Sequence, residues 1–405
     1  MYSQSDVFFS APVGGVAARI GARLFSFILD QMDRGIVSGS IETYLPGGSM
    51  RILGGRGAGP KSILKINRWR ALLRMASGGS VGGYEGWERG EWDSPDLVSL
   101  FEVFMRNRVS LGGTARASGI SRFLKRIMRA VRRNDRKGAA RNIMAHYDLG
   151  NQFYASWLDE TMSYSSALFE ADEGLEPAQQ AKMAMLINRM ALAPQSQVLE
   201  IGCGWGSLAC KLQKQGHDVT AITISPAQKA YADALDCGAT FRLCDYRDVD
   251  GTYDAIVSVE MVEAVGQEYW PTYLDTIARC LKSGGRAAIQ FIMINDDVFE
   301  NYAGSADFIQ TYVFPGGMLL SESRFKALAE ARGLVWSNAH YFGVDYAHTL
   351  RLWRQRFDNA VFENTLPDGF DERFINLWRF YLMYCEGGFR GQGIDVAQVT
   401  LIKAG

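Results

Sequence analysis

Three glycines at alternate positions follow an apolar run near the middle of the 405-residue chain. The run is Val-Leu-Glu-Ile at 198–201, and the glycines are Gly202, Gly204 and Gly206. Glycine lets the backbone turn tightly and approach a ligand with no Cβ in the way, and such turns bind nucleotides at the carboxyl end of a parallel strand. We therefore expect the glycines and the acid within the run, Glu200, to face a nucleotide-like cofactor.

Two nucleotide-like cofactors, NAD and S-adenosylmethionine, fit such a turn. The residues that follow the next two predicted strands distinguish between them. A dinucleotide enzyme usually has the spacing G-x-G-x-x-G, followed by an acid for the ribose hydroxyls. This chain has G-x-G-x-G, and Thr223 and Gln228 stand where that acid is expected. After the third strand, Asp245 can accept a hydrogen bond from the amine of adenine, and Tyr246 can stack nearby. The pattern favours S-adenosylmethionine over NAD.

Strands and helices alternate from residue 142 onward. The predicted strands are 197–202, 218–224, 241–244, 253–259 and 285–292, and the predicted helices between them are 208–215, 227–235 and 270–281. Alternation of this kind is typical of a parallel sheet with helices on both faces. We therefore predict the α/β class: a Rossmann-like class I methyltransferase domain at 142–405, with a mostly parallel seven-stranded sheet. A smaller α+β domain at 1–113 precedes it.

Charge is distributed unevenly along the chain, although the net charge is only −1. Residues 1–141 hold 23 of the 43 Lys and Arg but only 11 of the 44 Asp and Glu. Within a predicted linker helix at 114–141, residues 122–136 combine an apolar stripe with basic side chains. Such a helix lies on an anionic membrane surface, or packs its stripe on a neighbouring domain while the arginines are solvated. The residues of the helix alone leave both interpretations open.

Other features exclude several classes of protein. No apolar run reaches the roughly 20 residues that cross a bilayer, and the chain lacks the basic-then-apolar start of a secretion signal, so a cytoplasmic protein is expected. The six cysteines form no C-x-x-C pair and no cluster with the four histidines, which predicts reduced thiols and no metal. The proline-rich turn of nucleic-acid amine methyltransferases is missing at 258–266, so nucleic acid is not an expected substrate.

Seven phrases in order make the chain resemble the cyclopropane-fatty-acyl-phospholipid synthase family over nearly its whole length. They are HYDLGN at 146–151, MSYSS at 162–166, EIGCGWG at 200–206, DYRD at 245–248, FPGG at 314–317, FGVDY at 342–346 and YCEGGFR at 384–390. The resemblance implies an enzyme that transfers the methyl group of S-adenosylmethionine to a cis double bond in an acyl chain of a membrane phospholipid. It also implies an N-terminal lipid-interaction domain and peripheral contact with the inner face of the membrane through 122–136, and it allows a homodimer.

The same resemblance assigns residues to the site. It implies that Tyr164 and Ser165 contact the cofactor, together with the glycine turn, Thr223 and Gln228. The methylated chain becomes a carbocation, and a base then removes a proton. Loss of a proton from the new methyl group closes a cyclopropane, and loss from a neighbouring chain carbon leaves a methyl-branched olefin. The phrase at 260–273 is more similar to relatives that methylate without closing a ring.

The chain departs from the family at the base, which is a bound bicarbonate ion in those enzymes. Glu263 and Tyr346 are retained, but Ser166 replaces a cysteine, and Ala264 and Gln290 replace histidines. Glutamine donates a hydrogen bond but does not titrate, and the alanine side chain donates nothing. Two interpretations follow: an anion is held by Gln290, Tyr346 and Ser166, or Glu263 takes the proton itself.

Two alternative functions are compatible with these departures. The first is a catalytically inactive homologue that binds lipid or S-adenosylmethionine. The second is a methyltransferase for another small hydrophobic substrate. Turnover of S-adenosylmethionine in the presence of membranes distinguishes the proposed enzyme from both.

Overall fold

The computed structural model describes residues 16–112, 149–170, 174–304 and 307–405. The predicted linker helix at 114–141, with its basic segment 122–136, lies outside these ranges, and so do residues 146–148 of the first family phrase. Among the helices that are described, none has the length and apolar character needed to cross a bilayer.

The amino-terminal part contains a four-stranded sheet. Its elements are α1 (Val16–Gly35), β1 (Ser40–Tyr44), β2 (Met50–Gly54), β3 (Lys61–Ile66), α2 (Arg70–Glu88), β4 (Trp92–Asp93) and α3 (Leu97–Arg106). The strand order is β2-β1-β3-β4, with β1 antiparallel to β2 and parallel to β3. In β1 the alternate residues Ile41 and Thr43 are fully buried, as expected for a strand with one face on a core. The predicted α+β character is confirmed.

The remainder of the described chain is built on one seven-stranded sheet. Its strands are β5 (Gln197–Ile201), β6 (Asp218–Thr223), β7 (Thr240–Leu243), β8 (Tyr253–Val259), β9 (Leu281–Ile294), β10 (Leu334–Tyr341) and β11 (Ile394–Lys403). The order is β10-β11-β9-β8-β5-β6-β7, and only β11 runs antiparallel to its neighbours. The predicted mostly parallel sheet is confirmed.

Helices connect these strands. They are α4 (Asn151–Ala155), α5 (Leu175–Met190), α6 (Ser207–Lys214), α7 (Pro226–Asp233), α8 (Trp270–Cys280), α9 (Asp296–Ala303), α10 (Phe308–Tyr312), α11 (Glu322–Glu330), α12 (Gly343–Phe362) and α13 (Glu372–Arg390). Two of them, α12 and α13, pack against each other. The tyrosines of this helix pair contribute to the site described below.

The position of β5 explains why its end can bind a ligand. Val198, Leu199 and Ile201 are fully buried, because a central parallel strand is covered on both faces. Strands β6 and β7 lie on one side of β5, while β8 and β9 lie on the other. The strand order therefore reverses at β5, and ligands of open α/β sheets bind at the carboxyl ends of the strands at such a point.

Helix α13 fastens the amino-terminal part to the large sheet by packing on α3. The approach is close at Gly387, where an added Cβ would lie 2.5 Å from the Cβ of Phe101 and 2.7 Å from the carbonyl oxygen of Val98. At Gly391 it would lie 2.5 Å from the Cβ of Met105. Gly387 in the last family phrase and Gly391 just after it are thus required by the packing of α3 on α13.

The expectation that every thiol is reduced is wrong for one pair. Cys210 in α6 is joined by a disulfide bond to Cys237, 27 positions further on, with a Cα–Cα distance of 5.4 Å. The sequence offered no short spacing to indicate this pairing, since it depends on how α6 and the segment after α7 meet. Four further cysteines are free: Cys203, Cys244, Cys280 and Cys385.

Candidate active site

A cavity of about 440 Å³ lies at the carboxyl ends of β5, β6 and β8. One group of its lining residues is the glycine turn with Thr223, Gln228 and the start of the segment after β7. A second group is apolar and aromatic and comes mainly from α12 and α13: Tyr346, Leu350, Tyr381, Tyr384 and Phe389. Polar cofactor residues and an apolar chamber therefore share one space.

The glycine turn has the geometry that the sequence predicts. Gly202, Gly204 and Gly206 all have positive φ angles, of 82°, 53° and 92°. A Cβ at Gly202 would lie 2.8 Å from the side chain of Met261, whereas a Cβ at Gly204 would meet nothing within 4 Å. The open space beside Gly204 is where a ligand can approach the backbone.

Glu200 is the acidic side chain beside this turn. Its side chain is 3% exposed, and its Oε2 atom has no hydrogen-bond partner among the described residues. Burial raises the pKa of Glu200 to about 8. A cationic group of a ligand, such as the ammonium of S-adenosylmethionine, would satisfy this oxygen and favour the carboxylate form. The turn and Glu200 together fit that cofactor.

The predicted contacts after β6 are held in place by hydrogen bonds. The hydroxyl of Thr223 donates to the side-chain oxygen of Gln228 over 3.0 Å, and it accepts from the backbone N–H of Ser225 at 3.1 Å. Ser225 in turn caps α7. Thr223 and Gln228 line the cavity from this pre-ordered cluster.

The predicted adenine contacts, Asp245 and Tyr246, also line the cavity. Asp245 accepts two side-chain hydrogen bonds from Arg247, at 2.7 and 2.8 Å. Tyr246 is buried, and its ring packs edge-on against Tyr273 at 5.7 Å. Arg247 lines the same space and was missed from the sequence, although it stands within the family phrase at 245–248. An adenine contact by Asp245 stays a prediction.

Tyr164 and Ser165 link the cofactor end of the cavity to its apolar chamber. The hydroxyls of Tyr164 and Tyr381 are 2.8 Å apart. Ser165 accepts a 2.7 Å hydrogen bond from Nζ of Lys182. Lys182 is another residue that the sequence did not single out; it is buried within α5, and burial lowers its pKa to about 8.

Three of the four predicted base residues, Ser166, Gln290 and Tyr346, surround the carboxylate of Glu260, which the sequence analysis did not select. Oε1 of Glu260 accepts from the backbone N–H of Ser166 at 2.9 Å and from Nε2 of Gln290 at 2.8 Å. Its Oε2 accepts from the hydroxyl of Tyr346 at 2.6 Å. Burial, and then the adjacent Glu260, raise the pKa of Tyr346 well above its ordinary value, so this hydroxyl stays a donor at neutral pH. The hydroxyl of Ser166 donates elsewhere, to the carbonyl of Ala167.

Glu263 occupies a different environment on the same cavity wall. Its Oε1 accepts from the backbone N–H of Ile292, and its Oε2 has no partner in the part of the chain that the structure describes. Burial, and then the neighbouring Glu260, raise the pKa of Glu263 to about 8. Of the predicted base residues, Glu263 and Tyr346 line the cavity, whereas Gln290 and Ser166 contact Glu260 without lining it.

Comparison with known proteins shows the family of the chain. Residues 134–399 match the family described as mycolic acid cyclopropane synthetase. The chain belongs to this family. It is therefore an S-adenosylmethionine-dependent enzyme, as the glycine turn and the family phrases predicted.

Individual relatives cover most of the chain. It is 36% identical over 369 residues to the tuberculostearic acid methyltransferase UfaA1 of Mycobacterium tuberculosis, covering 84% of this chain and 83% of the relative. It is 33% identical to the cyclopropane-fatty-acyl-phospholipid synthase of Escherichia coli strain K12, covering 86% and 89%. Among solved structures it is similar to the mycolic acid cyclopropane synthase CmaA1 complexed with SAH and CTAB, with 29% identity, a TM-score of 0.61 and coverage of 65% and 98%.

Proposed function

We propose that the protein transfers the methyl group of S-adenosylmethionine to the cis double bond of an unsaturated acyl chain in a membrane phospholipid. The observation that carries the proposal is the shared cavity in which the cofactor turn meets an apolar, aromatic chamber that is also lined by Glu260 and Glu263. When bound, the cofactor supplies an electrophilic methyl group. The names of the two curated relatives, a fatty-acid methyltransferase and a phospholipid cyclopropane synthase, support an acyl-chain substrate.

The aromatic chamber suits a reaction that forms a cation on a hydrocarbon chain. The ring centroid of Phe314 lies 6.3 Å from that of Tyr164 and 6.2 Å from that of Tyr381. The face of an aromatic ring stabilises a cation by about 0.5–2 kcal/mol, more when water is excluded. Because Leu350 and Phe389 line the same chamber, an acyl chain can enter it while water is displaced. These side chains stabilise the cation and protect it from hydrolysis.

The site also needs an acceptor for the proton that the cation loses. Glu260 and Glu263 both line the cavity and supply carboxylate oxygens there. We propose a methyl-branched olefin as the product, formed by loss of a proton from the chain. The observation that favours this outcome is Gln290, which holds the position of a family histidine and is committed to hydrogen bonds with Glu260 and Gln398.

The structure of the lipid product tests the proposed function. The enzyme is incubated with S-adenosylmethionine and vesicles of phosphatidylglycerol that carry cis-9-octadecenoyl chains, and the released fatty acids are examined by proton NMR. A methyl-branched olefin and a cyclopropane have the same mass, so the alkene and cyclopropyl signals must be compared. We expect the olefin. Cyclopropyl signals would show that the proposed olefin product is wrong while methyl transfer to the double bond is right. The absence of any lipid product would favour the inactive homologue.

We further propose that the enzyme works at the surface of an anionic membrane from the cytoplasmic side. In this proposal residues 1–113 form a lipid-interaction domain, 114–141 a basic linker and 142–405 the methyltransferase domain. Supporting it, large apolar side chains of the amino-terminal part are exposed: Phe27 by 56%, Met50 by 51% and Ile52 by 58%. Exposed apolar surface of this kind is common at membrane and protein contacts.

A homodimer stays a prediction, and sedimentation velocity of the purified protein checks it.

A further inference from the structure

Three donors from three separate elements meet at the carboxylate of Glu260. They are the N–H of Ser166 before α5, the side-chain amide of Gln290 in β9 and the hydroxyl of Tyr346 in α12. A carboxylate has about four lone-pair positions, so three donors leave one position unused. Glu260 also lines the cavity in which a substrate binds, so its carboxylate combines an unused lone-pair position with access to that space.

A buried chain of amides fixes the direction in which Gln290 donates. Nε of Arg189 donates to Oε1 of Gln398 at 3.1 Å, and Nε2 of Gln398 donates to Oε1 of Gln290 at 3.0 Å. Arginine has no acceptor, so both amides have only one orientation that satisfies the chain. Gln290 must then present its Nε2 donor to Glu260. The interior of the sheet is therefore built to hold a negative group at this position.

The backbone conformation of Glu260 indicates that the surrounding structure fixes where its side chain lies. Its φ angle is 48°, in a region that residues other than glycine rarely adopt. The backbone N–H of Glu260 donates to the carbonyl of Gln290 at 2.8 Å, which ties this strained residue to β9. Strain of this kind is retained where the surrounding structure requires one particular side-chain placement.

Glu260 and Glu263, two of the carboxylates that line the cavity, differ in the number of donors that face them. Burial raises the pKa of Glu260, and its three donors and the ammonium of Lys182 oppose that rise by favouring the carboxylate form. Glu263 has one backbone donor, and its pKa of about 8 leaves it mainly protonated at neutral pH. A carboxyl group must be ionised to accept a proton, and the donors around Glu260 favour that form more than the single donor of Glu263 does.

We propose that Glu260 is the catalytic base and that its carboxylate fills the place in which a bound anion such as bicarbonate would otherwise be held. This inference rests on the proposed function. The π electrons of the alkene form a bond to the sulfonium methyl carbon, and the pair of the broken carbon–sulfur bond stays on sulfur. Glu260 then takes a proton from the cation, and the released C–H pair forms the new double bond. The proton passes to water after the product has left.

Substitution of Glu260 tests this role. Glu260→Gln keeps the shape of the side chain but cannot accept the proton, and general bases contribute about 100-fold or more to a rate. We expect at least a 100-fold loss of lipid methylation with unchanged binding of S-adenosylmethionine in calorimetry. Glu263→Gln should lose less, and Glu330→Gln on the exposed surface of α11 is the matched control. Activity retained in Glu260→Gln but abolished in Glu263→Gln would overturn the proposal.

Anion rescue tests the second half of the proposal. Glu260→Gly leaves all three donors in place, and glycine adopts the positive φ angle freely, so this variant is expected to fold even if Glu260→Gln does not. In buffer freed of carbon dioxide it should be inactive, and added bicarbonate or formate should restore at least a tenth of the lost rate. The wild-type enzyme should be indifferent to both anions. A wild-type enzyme that needs bicarbonate, or a Glu260→Gly variant that binds cofactor but is never rescued, would contradict the inference.

The proposed function and this inference fail in different ways. If the wild-type enzyme forms no lipid product, the proposed function itself is wrong. If it forms the product and Glu260→Gln is equally active, only the assignment of the base is wrong. The two results are read from the same assay, with the same vesicles of phosphatidylglycerol.

Discussion

Glu260 and Glu263 lie three residues apart and both line the cavity, and burial raises the pKa of each, yet their hydrogen-bond partners differ. Donors from Ser166, Gln290 and Tyr346 favour the carboxylate form of Glu260. Glu263 has one backbone donor and a neighbouring negative group, both of which follow from the fold. The chemistry of each glutamate is therefore decided by its partners, since the residue type is the same.

The raised pKa of Glu263 has a consequence for stability. Its ordinary value is 4.5 and its value in the folded protein is about 8. Between these values the folded protein holds a proton that the unfolded chain has released, so the contribution of this group to the free energy of unfolding falls as the pH rises. Glu263→Gln removes the group. We expect the variant to gain stability relative to the wild type as the pH is raised from 4.5 to about 8, with no further gain above it.

Urea unfolding of the cofactor-free protein at several pH values measures this difference. Asp297→Asn, an exposed residue in the first turn of α9, is the control for a lost carboxylate that is not buried. A constant difference between Glu263→Gln and the wild type across this pH range would contradict the assignment of the proton to Glu263.

The sequence could predict that Ser166, Gln290 and Tyr346 lie close together, but it could not predict that they surround the carboxylate of Glu260. The structure brings Ser166, Gln290 and Tyr346 together, and their roles in catalysis stay predictions. Glu260 could not be selected from the sequence, because β8 ends just before it and its positive φ angle leaves no periodicity to indicate where the side chain points. Gln398 was equally hidden, since it reaches Gln290 only through the pairing of β11 with β9.

At the scale of elements, the parallel strands were predictable and the carboxyl-terminal helices were not. The predicted strand 253–259 is identical to β8, and the others near the glycine turn agree within one or two residues. The strand predicted at 285–292 begins earlier, because β9 follows α8 directly at Leu281 and pairs with β8 through an irregular register. In α13, Gly387 and Gly388 resemble a loop, and the purpose of Gly387 is visible only when α3 packs on it.

The contact between α3 and α13 makes Gly387 sensitive to substitution. A Cβ there would lie 2.7 Å from the carbonyl oxygen of Val98, which belongs to backbone and cannot rotate away. We expect Gly387→Ala to lower the free energy of unfolding by about 1–3 kcal/mol, the usual cost of overpacking. The measurement is the thermal unfolding of the purified variant.

A second helical glycine provides the control. A Cβ at Gly83 in α2 would meet nothing within 4 Å. Gly83→Ala should therefore leave the stability unchanged or raise it by about 0.5–1 kcal/mol, since alanine favours the helix. If Gly387→Ala were as stable as Gly83→Ala, α3 and α13 would have to lie further apart at Gly387 than the structure shows.

At the scale of the whole molecule, the basic charge and several exposed apolar side chains occur in the same part of the chain. The first 141 residues hold 23 of the 43 basic residues, and the exposed apolar side chains Phe27, Met50 and Ile52 lie in the same part of the chain. The acidic remainder carries the cofactor turn and the cavity. In the proposed arrangement, this basic and partly apolar part of the chain binds the anionic membrane that carries the substrate.

The basic segment at 122–136 provides the test of this arrangement. Reversing three of its charges together, Arg126→Glu, Arg129→Glu and Arg133→Glu, should weaken binding to phosphatidylglycerol vesicles, because each basic residue near such a surface contributes about 1 kcal/mol. The loss should be larger at low salt, where screening is weaker. Co-sedimentation with the vesicles measures it.

A control with the same change in net charge shows whether position matters. Arg242, Arg286 and Arg351 are exposed and lie in the acidic part of the chain. Reversing these three should reduce vesicle binding much less if the membrane meets the basic segment. Equal losses in both triple variants would mean that only the overall charge attracts the protein to the vesicles. Unchanged binding after reversal at 126, 129 and 133 would favour the other interpretation of that segment, in which its apolar stripe packs on a neighbouring domain and its arginines are solvated.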